Sequence, residues 1–187
     1  EGGVTLVQLR EKTASDARVV GLARALKSVL DPKRIPLIVN DRVEAALAAG
    51  AHGVHLGPED LDAAEARARL GPDKLIGVSA GTAAEAARVD PDLTDYVGVG
   101  PVYPTATKPD AGAAIGVAGL KSLRALLPLP VVAIGGIAAG NAAAVVASGA
   151  DGIAVVSAIC GAGDPEGAAK RLRRVIESAR ARRPRET

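Results

Sequence analysis

Residues 35–60 read IPLIVNDRVEAALAAGAHGVHLGPED, and this stretch decides the fold class. The apolar run Ile35–Val39 leads into Asn40 and Asp41, an alanine-rich segment with helical spacing follows, and a second apolar run, Gly53–Leu56, comes next. Strand, helix and strand in this order are typical of β/α units, whose strands run parallel. The stretch therefore predicts an α/β protein in which polar residues follow the carboxyl ends of neighbouring strands.

The same alternation extends along the whole chain. The predicted helices are Asp16–Leu30, Arg42–Ala49, Leu61–Leu70, Thr82–Arg88, Val117–Leu126, Asn141–Ala147 and a last one from Pro165 to Arg180. The predicted strands are Val4–Leu9, Ile35–Val39, Gly53–Leu56, Leu75–Ser79, Tyr96–Gly100, Val131–Ile134 and Ile153–Ser157.

Seven strands suit either an open doubly wound sheet or a closed (β/α)8 TIM barrel, and a barrel needs an eighth strand. Because the chain opens on Glu1-Gly2-Gly3 without an initiator Met, we predict a barrel whose first β/α unit is missing at the N-terminus. No linker divides the sequence, so one domain is expected over residues 1–187, with a basic tail from about residue 181.

Composition narrows the class of protein. Met, Phe and Trp are absent, so the core must consist of Val, Ile, Leu and Ala. The formal charge of +2 does not favour nucleic acid as a partner, and no apolar run is long enough to span a membrane. The single Cys160 cannot form an internal disulfide, which fits a cytoplasmic protein. The sequence does not indicate an oligomeric state.

Cations follow the first predicted strand. Gln8, Arg10 and Lys12 alternate along it and should share one face. Charges on an interior face need anionic partners. Two readings stay open, an internal ion-pair network with Asp41 and Asp60 or a site for an anionic ligand.

Asp41 and Asp60 follow neighbouring strands, so their carboxylates can meet at the sheet edge. Magnesium suits such a pair, because it binds one or two carboxylates together with phosphate oxygens and water. Each aspartate also precedes a predicted helix, so an N-terminal helix cap is the alternative role.

Two later segments suit a phosphate group. The Pro-rich connection 101–112 carries Thr105, Thr107 and Lys108, which would equip a lid for phosphate; a plain surface loop is the alternative. Gly135-Gly136 and Val156-Ser157 end the last two strands, where barrels commonly bind phosphate through backbone N–H groups.

The remaining polar residues favour structural roles. His52 and His55 lack the spacing of a shared metal site, and we expect packed or surface roles for both. Cys160 is expected to be a buried, inert thiol. The basic stretches 170–174 and 180–185 are interpreted as a solvated helix face and a frayed end.

Taken together, the motifs resemble the thiamine phosphate synthase family, in the family's order and from Val4 to about Arg174. The motifs are Gln8-x-Arg10-x-Lys12, Val39-Asn40-Asp41, Gly53-Val54-His55-Leu56-Gly57-x-x-Asp60, Gly77-Val78-Ser79, Gly98-x-Gly100-Pro101-Val102-Tyr103-Pro104-Thr105-x-Thr107-Lys108, Ile134-Gly135-Gly136-Ile137 and Val156-Ser157.

The resemblance implies a Mg²⁺-dependent (β/α)8 enzyme. Such an enzyme joins 4-amino-2-methyl-5-hydroxymethylpyrimidine diphosphate to 4-methyl-5-hydroxyethylthiazole phosphate, releasing diphosphate by a dissociative mechanism. By resemblance, Asp41 and Asp60 hold the metal and Ser79 lies beside the pyrimidine. The implied diphosphate ligands are Gln8, Arg10, Lys12, Asn40 and Lys108, and the implied thiazole phosphate ligands are Thr105, Thr107, Gly136, Val156 and Ser157. Arg10, Lys12, Ser79 and Lys108 would be catalytic.

Three features depart from the family pattern. Pro58 stands where Gln is usual, Gly81 stands where His often follows Val-Ser-Ala, and the first strand is missing. The related thiazole tautomerases depend on that His, so Gly81 counts against them. A non-catalytic barrel that binds phosphorylated ligands stays open. A phosphosugar isomerase also stays open, but it needs a second acid–base residue beside Asp41 that the sequence does not offer.

Overall fold

The computed structural model describes residues 2–108 and 111–182. Glu1, two residues of the predicted lid (Pro109 and Asp110) and the end of the basic tail, residues 183–187, lie outside this part. The chain divides into two compact units. The amino-terminal unit comprises Val4–Ser79 and Asp90–Asp95, and the carboxy-terminal unit comprises Glu1–Gly3, Ala80–Val89 and Tyr96–Thr187.

Parallel strands in chain order form the sheet of the amino-terminal unit. β1 (Val7–Leu9) pairs with β2 (Leu37–Asn40), β2 with β3 (Gly53–Leu56), and β3 with β4 (Leu75–Ala80, whose last residue belongs to the other unit). The helices are α1 (Asp16–Leu30), α2 (Val43–Ala49) and α3 (Ala63–Leu70). The N-cap Ser15 begins α1 by accepting a hydrogen bond from Arg18 N, and a 3-10 turn, Asp31–Lys33, follows the helix.

Alternation along these strands separates the core from the chemistry. Leu37, Val39, Val54 and Ile76 are at most 1% exposed and lie in one apolar cluster with α1, α2 and α3 residues. Successive strand residues point to opposite faces, and Asn40 pairs with His55 in the register of β2 and β3. The face opposite the helix-packed core therefore carries Gln8, Asn40, His55 and Ser79.

The carboxy-terminal unit contains α4 (Ala83–Ala86), β5 (Tyr96–Val99), α5 (Gly116–Arg124), β6 (Val131–Ile134), α6 (Ala142–Ala147), β7 (Gly152–Ala154), α7 (Ser157–Cys160) and α8 (Pro165–Ala181). β5, β6 and β7 pair in parallel, and α6 packs on α8. Pro165 occupies the first turn of α8 behind the N-cap Asp164, as predicted.

One arrangement recurs at the amino ends of the strands. The residue before β3, β5 and β7 is His52, Asp95 and Asp151, and each donates its backbone N–H at 2.8 Å to the residue that opens β2 (Leu37), to Ile76 of β4 and to the residue that opens β6 (Val131). Each side chain accepts a hydrogen bond from the N–H of that same strand residue, at 3.1, 2.7 and 2.9 Å. These bonds satisfy backbone donors that would otherwise be left at the strand starts.

The α/β class, the parallel strand order and the aliphatic core are confirmed. Several details are wrong. β1 begins at Val7 instead of Val4, and β2 is Leu37–Asn40 instead of Ile35–Val39. β7 ends at Ala154, Ser157 begins the unpredicted helix α7, and Cys160 is exposed rather than buried. Seven strands lie within residues 2–108 and 111–182, and the eighth strand, like the single domain, stays a prediction. Within those ranges, no helix has the length and apolar character needed to cross a bilayer.

Candidate active site

Asp41 lies in a tight turn directly after β2. Its backbone N–H continues the sheet by donating to His55 O at 2.9 Å, and the next N–H, that of Arg42, turns back to Asn40 O at 2.7 Å. The φ of Asp41 is +57°, in the left-handed region that Asp and Asn enter more readily than most residues. The turn thus fixes the Asp41 carboxylate at the carboxyl end of β2.

The two oxygens of the Asp41 carboxylate have different surroundings. Oδ2 accepts a hydrogen bond from Lys12 Nζ in an ion pair. Oδ1 is buried without a hydrogen-bond partner among the described residues, and Arg42 Nε lies 3.9 Å from it. A buried carboxylate oxygen without a partner is unfavourable, so this atom suits a bound cation.

Asp60 closes a turn after β3. Its Oδ2 accepts from Gly57 N at 2.6 Å, and its own N–H donates to Gly57 O at 3.2 Å. Pro58, one of the departures noted in the sequence, is exposed at the second position of this turn, where proline's fixed φ is favourable.

The alternative role of helix cap does not hold for either aspartate. α3 is capped by Asp62, whose side chain accepts from Ala64 N, and α2 begins at the N-cap Arg42 without a side-chain cap. Asp41 N donates to His55 O, and His55 lies two residues before Gly57, where the Asp60 turn begins. The turns that carry the two carboxylates therefore lie at adjoining strand ends. The capping alternative is therefore wrong for both aspartates.

These groups fit magnesium better than a metal held by protein alone. In the described part of the chain, no group of three or more His, Cys, Asp and Glu side chains could hold a metal ion. Magnesium needs only one or two carboxylates when phosphate oxygens and water complete its shell.

Other polar residues of the amino-terminal unit lie on the strand face opposite the helix-packed core. His55 Nε2 and Ser79 Oγ lie 2.9 Å apart and share a hydrogen bond. Gln8 and Arg10 are exposed. Because β1 ends at Leu9, strand alternation does not place Lys12; the bend after β1 does.

His52 and His55 form hydrogen bonds at different places in the fold. His52 is bonded to the start of β2, the structural role that was expected, whereas His55 reaches a predicted site residue. A cleft of about 390 Å³ beside His52, lined by Asp31, Arg34, Ile35 and Pro36, lies at the amino end of β2, away from Asp41. Strand parity was the sequence signal for His55, since it shares the face of Asn40.

Arg42 was missed by the sequence reasoning. Its guanidinium donates to Lys12 O at 3.1 Å and to Ala14 O at 2.6 Å, and it forms an ion pair with Asp16. Opposite it, three hydrogen bonds, the largest effect being that from Thr13 N, lower the pKa of Glu11. No motif marks the bonds of Arg42 in the sequence, since they join residues that lie nearly thirty positions apart.

In the carboxy-terminal unit, the start of the predicted lid pairs with the glycine turn after β6. Val102 N donates to Ile134 O at 2.8 Å and Tyr103 N donates to Gly135 O at 3.0 Å. A Cβ on Gly136, whose φ is +61°, would lie 2.6 Å from Pro104 O. The turn therefore needs glycine because the 101–104 backbone packs against it.

Asn141 fixes the same turn. Its Oδ1 accepts from Ala138 N at 2.8 Å and its Nδ2 donates to Gly136 O at 3.0 Å. These two bonds hold the peptide groups on both sides of Ile137.

The predicted phosphate ligands are solvent-accessible. Thr107 and Lys108 are exposed, and Thr107 N donates to Thr105 Oγ1 at 3.2 Å. Val156 is 51% exposed at the N-cap of α7, and Ser157 is exposed in its first turn, where helix N–H groups lack intrahelical acceptors. Ile134, which precedes the glycine turn, is 42% exposed at the end of β6.

Close packing also accounts for the glycine at position 81. Its N–H donates to Glu85 Oε2 at 2.6 Å, and a Cβ there would lie 3.0 Å from Gly100 O. A histidine at this position would need its neighbours to shift by a few tenths of an ångström.

Comparison with known proteins agrees with this picture. The family model described as thiamine monophosphate synthase matches residues 1–159. A thiamine-phosphate synthase of Azorhizobium caulinodans is 54% identical over 96% of this chain and 84% of the relative, and one of Moorella thermoacetica is 49% identical over 96% and 85%. A solved thiamine phosphate pyrophosphorylase from Pyrococcus furiosus matches with a TM-score of 0.87 and 39% identity over 95% of this chain and 85% of that one.

The family model spans well over half of the chain, and relatives with about half of their residues identical cover nearly all of it. The chain therefore belongs to the thiamine monophosphate synthase family.

Proposed function

We propose that this chain joins hydroxymethylpyrimidine diphosphate to the thiazole phosphate, giving thiamine phosphate and diphosphate. Family membership supports the reaction. The observation that carries the residue roles is the Asp41 carboxylate. One oxygen is paired to Lys12, and the other is buried without a hydrogen-bond partner among the described residues. It suits a site where a cation and an anionic leaving group are bound together.

In this proposal the amino-terminal unit holds the diphosphate and the metal. Asp41 and Asp60 would hold Mg²⁺, which would supply electrostatic stabilisation of the diphosphate oxygens. Gln8, Arg10, Lys12 and Asn40 bind the diphosphate itself. For Lys108, which belongs to the other unit, the role of diphosphate ligand is proposed from the family resemblance alone.

The C–O bond to the diphosphate breaks with both electrons leaving on oxygen, and the pyrimidine methylene becomes a cation. Negative charge grows on the departing group, so fixed cations stabilise the transition state more than the ground state. His55 holds the Ser79 hydroxyl beside the pyrimidine, and the thiazole nitrogen then forms the new C–N bond. No nucleophilic side chain is required.

The carboxy-terminal unit binds the thiazole phosphate in this scheme. Thr105 and Thr107 supply hydroxyls, and Gly136, Val156 and Ser157 supply backbone and side-chain donors. The bonds from Asn141 and from the 101–104 segment keep the glycine turn in one conformation, so little ordering is needed when phosphate binds.

The finer structural expectations are proposals on the same basis. The parallel β/α units in chain order support the (β/α)8 barrel class, whose eighth strand is not among the described residues. We also propose that the enzyme acts in the cytoplasm on phosphorylated small molecules.

The direct test is incubation of the purified chain with both substrates, with and without Mg²⁺, while thiamine phosphate and diphosphate are quantified. Equimolar products that require Mg²⁺ are expected. Binding of both substrates without diphosphate release would instead indicate a non-catalytic binder.

Two lysine variants test the role proposed for Lys12. Lys12→Ala should abolish diphosphate release in a folded protein, because the leaving group loses a fixed cation. Lys27→Ala, which removes a lysine paired to Asp31 within the same unit, is the matched control and should keep the activity. Wild-type rates in Lys12→Ala would contradict the role given to Lys12.

A further inference from the structure

Two side chains bind the backbone of the short segment that carries Lys12, here named the 12–14 loop (Lys12–Ala14). Glu11 Oε1 accepts hydrogen bonds from Thr13 N at 2.8 Å, Thr13 Oγ1 at 2.9 Å and Ala14 N at 3.2 Å. Arg42 donates from Nη2 to Lys12 O at 3.1 Å and from Nη1 to Ala14 O at 2.6 Å. One side chain thus holds the loop's donors and the other its acceptors.

Arg42 follows Asp41 directly, and the two residues contact opposite ends of Lys12. Asp41 accepts from the ammonium of Lys12, while Arg42 donates to the carbonyl of Lys12. The left-handed turn at Asp41 directs two consecutive side chains to the same target.

The ion pair of Arg42 with Asp16 does not account for this arrangement. Its partner Asp16 is 72% exposed, and pairs in that setting contribute little to stability. The two bonds to carbonyl oxygens need the planar fork of a guanidinium, which an ammonium cannot reproduce. Since the side chain of Lys12 is itself 47% exposed, its position depends on how firmly its backbone is held.

We propose that Arg42 and Glu11 are positioning residues, which fix the 12–14 loop so that the ammonium of Lys12 lies where the diphosphate leaves. The inference rests on the proposed function and extends it to residues that make no contact with the substrate. It predicts that loosening the loop slows the departure of diphosphate while the thiazole phosphate still binds normally.

The first variants are Arg42→Ala and Arg42→Lys. For Arg42→Ala we expect kcat to fall about 10- to 100-fold, because small displacements of a charge-stabilising group are costly in rate. The KM for the thiazole phosphate should stay unchanged. Arg42→Lys should recover only part of the loss, since one ammonium replaces a two-pronged donor.

The matched control is Arg24→Ala. Arg24 lies on α1 and donates to Ala48 O at 2.8 Å, so its loss also removes an arginine-to-carbonyl bond within the same unit, but away from Lys12. Equal falls in kcat for Arg42→Ala and Arg24→Ala, or an equal rise in both KM values for Arg42→Ala, would indicate a purely structural role and overturn the proposal.

Glu11 gives a second route that does not depend on Arg42 variants folding. Glu11→Ala removes all three of its bonds and should reproduce the loss in kcat, whereas Glu11→Gln keeps an acceptor oxygen and should lose less. Identical kcat values for the two variants would contradict a role through the loop.

Calorimetric titration with inorganic diphosphate and Mg²⁺ separates this inference from the proposed function. Weaker diphosphate binding in Arg42→Ala than in Arg24→Ala supports positioning even if the wild-type chain makes no thiamine phosphate. An active wild type whose Arg42→Ala and Glu11→Ala variants keep full kcat and full diphosphate affinity would refute positioning and leave the proposed function intact.

Discussion

The carboxyl ends of the strands offer different atoms in the two units. The amino-terminal unit presents charged side chains, above all Lys12 and Asp41, in loops held by other side chains. The carboxy-terminal unit presents a glycine turn, threonine hydroxyls and the first turn of a short helix, held by backbone pairing and by Asn141.

The two units should therefore respond differently to substitution. Removal of a charge should impair ligand binding by the amino-terminal unit while its backbone stays in place. Addition of a single methyl group should impair the carboxy-terminal unit, whose contacts depend on the close approach of two backbones. The following experiments separate these two kinds of dependence.

The largest effect is expected from Asp41→Asn. Asparagine tolerates the left-handed conformation at this position, so the fold should be retained. With the charge removed, diphosphate release should fall by at least about 1,000-fold. Stopped assays of diphosphate and the melting temperature check both expectations.

Asp62→Asn is the matched control for that variant. Asp62 caps α3, and asparagine is an equally good cap, so both activity and stability should be retained. Retained activity in Asp41→Asn would remove the basis for treating this unit as a charge-dependent site.

An intermediate effect is expected from Gly136→Ala. The added Cβ would lie 2.6 Å from Pro104 O and 2.7 Å from Tyr103 Cβ, at a φ of +61°. Strain of this kind should lower the free energy of unfolding by about 1–3 kcal/mol. Because the 101–104 segment must move away, the KM for the thiazole phosphate should rise while diphosphate affinity is retained.

Gly140→Ala tests whether the effect is specific to the turn. Among the described residues, no atom beyond the two chain neighbours lies within 4 Å of a Cβ at Gly140, so the stability and KM of Gly140→Ala should be unchanged. Equal behaviour of the two alanine variants would show that backbone packing does not define the second unit's site.

The smallest effect is a local pH dependence in the 12–14 loop. The backbone bond from Thr13, then the Thr13 hydroxyl and Ala14 N, lower the pKa of Glu11 below its ordinary 4.5. The stabilisation from these bonds is therefore present above pH 4.5 and is lost as the pH falls through the folded-state pKa. Protection of the Thr13 and Ala14 amides from hydrogen exchange should decline there.

The Ala138 amide provides the comparison within the same sample. Its acceptor is the Asn141 side chain, which does not titrate, so its protection should be unaffected by the same acidification. Parallel loss of protection at Ala138 and Thr13 would indicate general unfolding instead.

Most of the fold was predictable because the chain alternates aliphatic strands with alanine-rich helices. Gly53–Leu56, Val131–Ile134 and Asp16–Leu30 have the predicted bounds, since clear turn or capping residues flank them. β1 is shorter than predicted, because the pairing with Leu37–Val39 begins only at Val7. Ser157 was assigned to β7 because apolar residues continue past Ala154, although the chain there turns into α7.

The site was predictable where strand order and parity determine position. Asp41 and Asp60 could be placed at adjoining strand ends, and the ion pair of Lys12 with Asp41 was one of the two readings considered. Arg42 and Glu11 could not be identified, because their bonds to the 12–14 loop depend on the φ of Asp41 and on loop conformations that no spacing encodes. Likewise, Gly136 could be recognised as a close approach, but not that Pro104 is what approaches it.

The bonds from His52, Asp95 and Asp151 at the amino ends have an evolutionary consequence. Each of these three residues ties a strand start without using any residue of the opposite end. Residues at the carboxyl ends can therefore change during evolution without loss of the bonds that hold the amino ends of the same strands. In such a strand, one end maintains the fold and the other end is free to acquire a different specificity.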